Sequence, residues 1–335
     1  MTEATVLRLG VVGCGHIATE QVVKWQTAGR VDVVAGVEPN APQFDRFAKS
    51  FPTPPVQAES LEVLLADHGK AVDAIYIATP HAFHAEQAKT ALLAGKNVLL
   101  EKPMAFDLAD ARAIEAAAET SGATLVVAFN GSLSPHLRVT SEALAAGEFG
   151  KIHTISALVS ENWAGLYDGH WKQNPDISGG GFLLDSGSHA LNAIIDVAGC
   201  GIESVSAQFS EKKPGVEISA ALSGRMQNGT LVSLTACGDT APPCLGQLTL
   251  FCETAVLTVD PWGKRATIVR DASGERELSS GPARQLVDLF IDVCAGRIEN
   301  PSPIARNIEF ARLWAATRQS AANAGQPVTI QDMEG

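Results

Sequence analysis

The sequence predicts an N-terminal α/β domain with a doubly wound parallel sheet, followed by a C-terminal α+β domain. The second domain is expected to carry an open-faced, mostly antiparallel sheet with helices on one side. Three observations carry this reading. Strand-like and helix-like segments alternate through the first 130 residues. A glycine turn joins the first strand to the first helix. Past residue 150, β-rich segments follow one another with only one helical interruption before the closing helices.

The elements follow in order. "VLRLGVVG" (6–13) is apolar enough for a strand buried on both faces, and "IATEQVVKWQTAG" (17–29) has helical spacing and a terminating glycine. "VDVVAGV" (31–37) is the next strand, and 41–50 reads as a helix. After the proline-rich "FPTPP" come a short helix (60–66), the strand "AIYIAT" (74–79), and a helix from Ala82 to Gly95. "NVLLE" (97–101) is a strand. Asp107 suits the N-cap of an alanine-rich helix that Gly122 ends, and "TLVVAF" (124–129) is the sixth strand. Beyond that, "IHTISALVS", "EISAALSGRM", "TLVSLTA", "QLTLFC" and "AVLTVD" are strands, interrupted by a helix over 181–198. Helices over 284–295 and 304–324 close the chain. The boundary predicted is 1–129 for the first domain and 130–335 for the second, with no flexible linker.

Composition bounds the function. The 335 residues are 46% hydrophobic and 19% charged, which suits two globular domains. The net charge of −12 argues against a nucleic acid or an anionic membrane surface as partner. No apolar run reaches membrane-spanning length, and "MTEATVLRLGVVG" lacks the pattern of a signal peptide. Six cysteines without a C-x-x-C pair read as reduced thiols, so a cytoplasmic location is expected.

"GVVGCGHIA" places Gly13, Gly15 and Ala18 in G-x-G-x-x-A spacing between a strand and a helix. The two glycines permit a tight turn and close approach to a pyrophosphate, and the helix N-terminus favours its charge. The second strand is followed by Glu38, where an acid grips ribose hydroxyls. NAD is therefore expected over NADP, although Asn40 or Arg46 could accommodate a 2′-phosphate. His16 and Ile17 in the turn are further candidate cofactor contacts. So are Thr79 and Pro80 after the fourth strand, and Glu101 and Lys102 after the fifth. Ligands of open parallel sheets lie beyond the carboxyl ends of the strands, which puts Lys102 within reach of a nicotinamide. A cis Lys102–Pro103 bond is expected.

"GGGFLLDSGSHALN" (179–192) carries Asp185 and His189 four positions apart, the spacing of one helical face. With "TPHAFHAEQAKTALLAGKNVLLEKPMA", the glycine turn and the closing "GQPVTI", these motifs occur in an order that resembles the Gfo/Idh/MocA family (glucose–fructose oxidoreductase, inositol dehydrogenase and relatives). The resemblance covers nearly the whole chain. It implies a nicotinamide-binding Rossmann domain and an antiparallel sheet used for homodimer or homotetramer contacts. It also implies sugar, polyol or related hydroxy substrates, with Lys102, Asp185 and His189 as catalytic residues and His84 as a cofactor contact. Relatives often carry an arginine soon after the sixth strand; this chain reads "FNGSLSP" (129–135) there.

Oxidising a secondary alcohol requires its hydroxyl proton to leave. His189 is expected to act as general base or acid, and Lys102 to stabilise developing alkoxide charge. Asp185 is expected to balance Lys102 and orient the site, and the three glycines to let the chain turn beside the cofactor. Lys102, Asp185 and His189 then also count as substrate contacts, joined by Asn162, His170 and Trp171 from the aromatic loop 161–175 and by Asn192. Trp163 and Tyr167 of that loop suit core packing at least as well, and Trp25 and Trp314 read as core. His81 and His84 lack a convincing carboxylate or thiolate partner for a metal, and no metal is expected. Two alternatives remain: a glycoside-cleaving or eliminating enzyme that oxidises only transiently, and a cofactor-sensing regulatory protein.

Overall fold

The computed structural model describes residues 6–330. Residues 1–5, part of the segment read for a leader, and 331–335, the end of the second expected domain, lie outside the described residues. The chain forms two compact units, and each is built from several segments: one from residues up to 105, 109–128 and 285–304, the other from 106–108, 129–284 and 305 onward. The expected single cut after 129 therefore becomes an exchange of segments. Helix Leu286–Cys294 belongs to the first unit, where Asp288 pairs with Arg30 at 2.9 Å. In the same unit, Asn300 donates to the Leu125 carbonyl at 2.8 Å.

The first unit holds six parallel strands: β1 (Leu7–Val12), β2 (Val31–Val37), β3 (Val56–Ala58), β4 (Ala74–Ile77), β5 (Asn97–Leu100) and β6 (Leu125–Val127). They lie in the order β3-β2-β1-β4-β5-β6. The inner strands are continuous apolar runs because helices cover both faces; Val11, Ile75, Ile77 and Leu99 are fully buried. Side chains of that kind stabilise the fold by roughly 1.5–3 kcal/mol each. Strand order reverses between β1 and β4, so the loops after these two strands flank the switch point where such sheets bind ligands. Strand β3 was not expected. Its three residues are too few for an alternation signal, and it pairs only with β2.

The second unit holds nine strands: β7 (Ile152–Ser160), β8 (Ile202–Lys213), β9 (Val216–Met226), β10 (Leu231–Cys237), β11 (Leu245–Cys252), β12 (Ala255–Val259), β13 (Ile268–Asp271), β14 (Gly274–Glu277) and β15 (Val328–Thr329). Their order is β14-β13-β12-β11-β7-β10-β9-β8-β15, antiparallel throughout except for the β7–β10 pair. One face is packed: Ile155, Val159, Leu234 and Leu250 are buried, and helices Phe182–Asp185 and Ser188–Ala198 lie against it. On the other face Ser156 and Leu158 of β7, Ser233 of β10 and Gln247 and Phe251 of β11 are exposed. Strand β8 escaped the sequence reading because its last four residues, "SEKK", are polar and charged. Trp25 and Trp314 are core residues of their units, as expected.

Candidate active site

The glycine turn leaves β1 with Gly13 at φ +84°. A Cβ there would lie 2.8 Å from the backbone of Ala78 and Thr79, so both conformation and space demand glycine. Gly15 caps helix His16–Thr27 without a side chain, and a Cβ at that position would meet only Gln43 Nε2 at 3.6 Å. His16 and Ile17 are exposed on the first helical turn. Glu38 is held by three N–H donors: Cys14 N (3.2 Å) and Gln43 Nε2 (2.9 Å) on Oε2, and Asn40 N (3.0 Å) on Oε1. Gln43 was missed because it lies within a helix and carries no motif. A groove of about 370 Å³, lined in part by Cys14, His16, Thr19, Gln43 and Arg46, adjoins these residues. A side-chain-free turn, a helix N-terminus and a fixed carboxylate fit a dinucleotide. Burial, reinforced by the Glu38 charge, pushes the Cys14 thiol well up and disfavours its thiolate.

The loops after β4 and β5 are tied to each other. Thr79 Oγ1 donates to Gln87 Oε1 at 2.6 Å, and Pro80 leads into the turn His81–Phe83. His84 corrects an expectation: it is wholly buried, with Nδ1 2.8 Å from the Pro103 carbonyl oxygen and Nε2 2.9 Å from that of Thr79. Both ring nitrogens are spent on backbone, so the imidazole links the two loops and offers a cofactor no polar atom. Burial lowers its pKa. Among the described residues no group of His, Cys, Asp or Glu could hold a metal ion. Tyr76 OH donates to Glu101 Oε1 at 2.7 Å, and burial followed by that carboxylate keeps the phenol protonated. Lys102 is half-buried, and its bond to Pro103 is cis.

In the second unit the expected continuous helix is two helices. Asp185 ends Phe182–Asp185, and His189 stands at the second position of Ser188–Ala198. The break comes at Gly187, where a Cβ would crowd the Leu183 carbonyl oxygen at 2.7 Å. Asp185 is buried; its Oδ2 accepts from Trp163 Nε1 at 2.8 Å and lies 2.7 Å from Lys172 Nζ. Lys172 was missed, although it sits in the loop singled out for its aromatics. Its ammonium also lies 4.1 Å from the Tyr167 ring centroid. Burial works against that ammonium, but Asp185 and Tyr167 outweigh it and raise the pKa. The lysine therefore stays protonated across the neutral range.

His189 is 8% exposed and meets Phe129 edge-on, with centroids 5.8 Å apart. Trp262, which no motif announced, lies 6.3 Å away by the same measure. Asn192 is a correction. It is buried, and Nδ2 donates to Ser132 Oγ at 2.5 Å and Asp196 Oδ2 at 3.1 Å, so its donors are not open to substrate. Ser132 also bonds Asp196, and Arg306 closes the network at 2.7 Å. At 131 any side chain would collide with the Pro261 carbonyl oxygen, and at 132 the serine serves the network.

The three glycines are a further correction. A Cβ on Gly179 would strike the Phe106 ring, and one on Gly180 would lie 2.8 Å from Trp314 Cζ2. One on Gly181 would lie 2.7 Å from the Glu217 amide nitrogen and nearer still to its carbonyl oxygen. The run is thus packed on its own unit. Glu217, also unforeseen, clasps it by accepting from Gly181 N (2.7 Å) and Leu184 N (3.2 Å). Burial pushes the Glu217 carboxyl up to about 7. In the aromatic loop Trp163 is core, His170 is exposed, and Asn162 and Trp171 are half-buried.

Comparison with known proteins agrees with this architecture. Residues 7–129 match the model of an oxidoreductase family with an NAD-binding Rossmann fold, and residues 137–258 match the GFO/IDH/MocA C-terminal domain. A 1-carboxy-3-chloro-3,4-dihydroxycyclohexa-1,5-diene dehydrogenase of Comamonas testosteroni is 31% identical over 188 residues, 56% of this chain and 46% of that protein. The chain therefore spans about half of that relative. A 1,5-anhydro-D-fructose reductase of Ensifer adhaerens is 29% identical over 287 residues, 82% of this chain and 84% of that one. The WlbA dehydrogenase from Bordetella pertussis, solved in complex with NADH and UDP-GlcNAcA, superposes with a TM-score of 0.81 at 24% identity, covering 97% and 99% of the two chains. At that identity the likeness concerns the fold.

Proposed function

This chain belongs to the Gfo/Idh/MocA family of NAD-binding oxidoreductases, and on that premise we propose that it transfers a hydride between NAD(H) and a secondary alcohol or ketone of a sugar, polyol or related hydroxy compound. The observation that supports it most is His189: an imidazole set among aromatic rings, near in sequence to a buried carboxylate that has its own cation. When bound, NAD supplies the hydride acceptor. His189 takes the hydroxyl proton in oxidation and returns it in reduction. Lys102 donates a hydrogen bond to the reacting oxygen and stabilises its developing charge. Asp185 holds charge and orientation at the site; Lys172 and Trp163 keep its carboxylate in place. The named relatives above are dehydrogenases and a reductase, and nothing favours glycoside cleavage or cofactor sensing.

The test is a panel of polyols, aldoses, keto-sugars and cyclic diols, followed by NAD(H) absorbance. We expect turnover with at least one class. His189→Ala and Lys102→Ala should each lose turnover by roughly two to four orders of magnitude while still binding NADH. Near-normal turnover in either variant overturns the assignment.

Glu38, pinned by three N–H groups, repels a 2′-phosphate, so NADH should bind more tightly than NADPH; the reverse order in a titration defeats the preference. The uncharged outward residues of β7, β10 and β11 suit a homodimer or homotetramer formed through the sheet, which sedimentation tests and a monomer at micromolar concentration would refute. Six thiols fit the cytoplasm. Among the described residues no helix is long and apolar enough to cross a membrane.

A further inference from the structure

We infer that Trp262 is the aromatic wall of the substrate site and selects a ring, a pyranoside or cyclitol, over an open-chain polyol. The inference rests on the proposed role of His189 and deepens it. The tryptophan follows β12 on the loop 260–265, and the loop is bolted down at every turn. Asp260 Oδ1 accepts from Trp262 N at 3.0 Å, and Oδ2 accepts from Lys264 N at 3.2 Å and Arg265 Nε at 3.3 Å. Arg265 then reaches across to the Gly246 carbonyl at 2.9 Å, tying the loop to β11.

Two glycines make room for it. Gly131 lets the Pro261 carbonyl press against the backbone after β6, and Gly246 receives the six-membered ring of the indole. A Cβ on Gly246 would run into Cζ3, with Cε3 and Cη2 at 2.6 Å. The indole is thus backed by Gly246 and keeps its place 6.3 Å from the His189 ring, at an interplanar angle of 49°. Trp262 is half-buried, so part of the residue stays accessible to solvent. A ring whose hydroxyl reaches His189 comes within van der Waals range of this surface. A cyclic substrate presents a rigid C–H face that an indole covers at small entropic cost, whereas an open chain must be ordered first.

In the loop 161–175, Trp163 is fully buried and spends its N–H on Asp185, so it is not such a wall.

The experiment compares wild type with Trp262→Ala, Trp262→Phe and Gly246→Ala, each checked for fold by circular dichroism and for NADH affinity by fluorescence titration. Substrates are methyl β-D-glucopyranoside, myo-inositol and D-sorbitol. Wild type should favour the rings in kcat/KM. Trp262→Ala should shrink the ring-to-chain ratio about tenfold, mostly through KM, with NADH binding unchanged. Trp262→Phe should keep part of the preference, and Gly246→Ala should mimic the loss by displacing an intact indole. Saturation-transfer NMR of methyl β-D-glucopyranoside with the NADH-loaded protein gives a readout without turnover: ring C–H protons should be labelled in wild type and lose labelling in Trp262→Ala. An unchanged ratio and an unchanged labelling pattern in both Trp262→Ala and Gly246→Ala overturn this inference alone. Absence of both binding and turnover in wild type overturns it together with the reading beneath it.

Discussion

Two glycine clusters, Gly13–Gly15 and Gly179–Gly181, look alike in the chain and differ at Gly15. Gly13 is left-handed, as Gly179 is, and is hemmed in by the Ala78–Thr79 backbone, but a Cβ on Gly15 would meet no closer neighbour than 3.6 Å. Space at Gly15 is left over after folding, which is what a backbone cradle for a pyrophosphate needs. At the second, a Cβ on any of the three would meet protein: Phe106, Trp314 and the Glu217 backbone. Those glycines are consumed by folding. A glycine serving a ligand should therefore tolerate alanine in stability and not in binding, and a glycine serving packing the reverse.

The sharpest way to break this contrast is Gly181→Ala, which forces a Cβ onto the backbone of β9. We expect a loss of about 3 kcal/mol or more in urea denaturation, with turnover falling because the Asp185 segment is displaced. Unchanged stability would end the packing account.

Glu217 tests the same cluster by pH. Its carboxyl is raised from the usual 4.5 to about 7, so the folded state holds a proton that the unfolded state releases. Its contribution is fully present below pH 4.5 and is lost as pH rises towards about 7, a slope worth roughly 3 kcal/mol in all. Glu217→Gln should flatten that slope; an identical pH dependence in wild type and variant would count against it.

Lys172→Met should cost about 2 kcal/mol, less than for a fully enclosed pair because the lysine is 19% exposed. The double variant with Asp185→Asn should lose less stability than the sum of the two single changes, and strict additivity would show that the pair is not coupled.

The smallest stability effect belongs to Gly15→Ala, under about 0.5 kcal/mol in denaturation, while NADH affinity drops by about tenfold or more. A large destabilisation with unaltered affinity would merge the two clusters into one kind.

The parallel sheet was legible because its strands, buried on both faces, read as apolar runs and its turns follow glycine and capping rules. The positions of Lys102 and Glu38 were legible because each closely follows a strand end. What escaped depends on distant pairs. Lys172 meets Asp185 across 13 positions, Glu217 meets Gly181 across 36, and Trp262 meets His189 across 73. No local spacing encodes such partners, and the same is true of the network that withdraws Asn192 from the surface. His84 was misjudged because burial cannot be read from a motif that also borders a ligand loop.

The interleaving of segments constrains how the chain leaves the ribosome. The first unit takes back residues 285–304, and the second closes its Asp196 network only with Arg306. Neither can reach its final form until residues beyond 300 have been translated. A nascent chain halted at residue 280 would expose unfinished surfaces in both halves to chaperones and proteases.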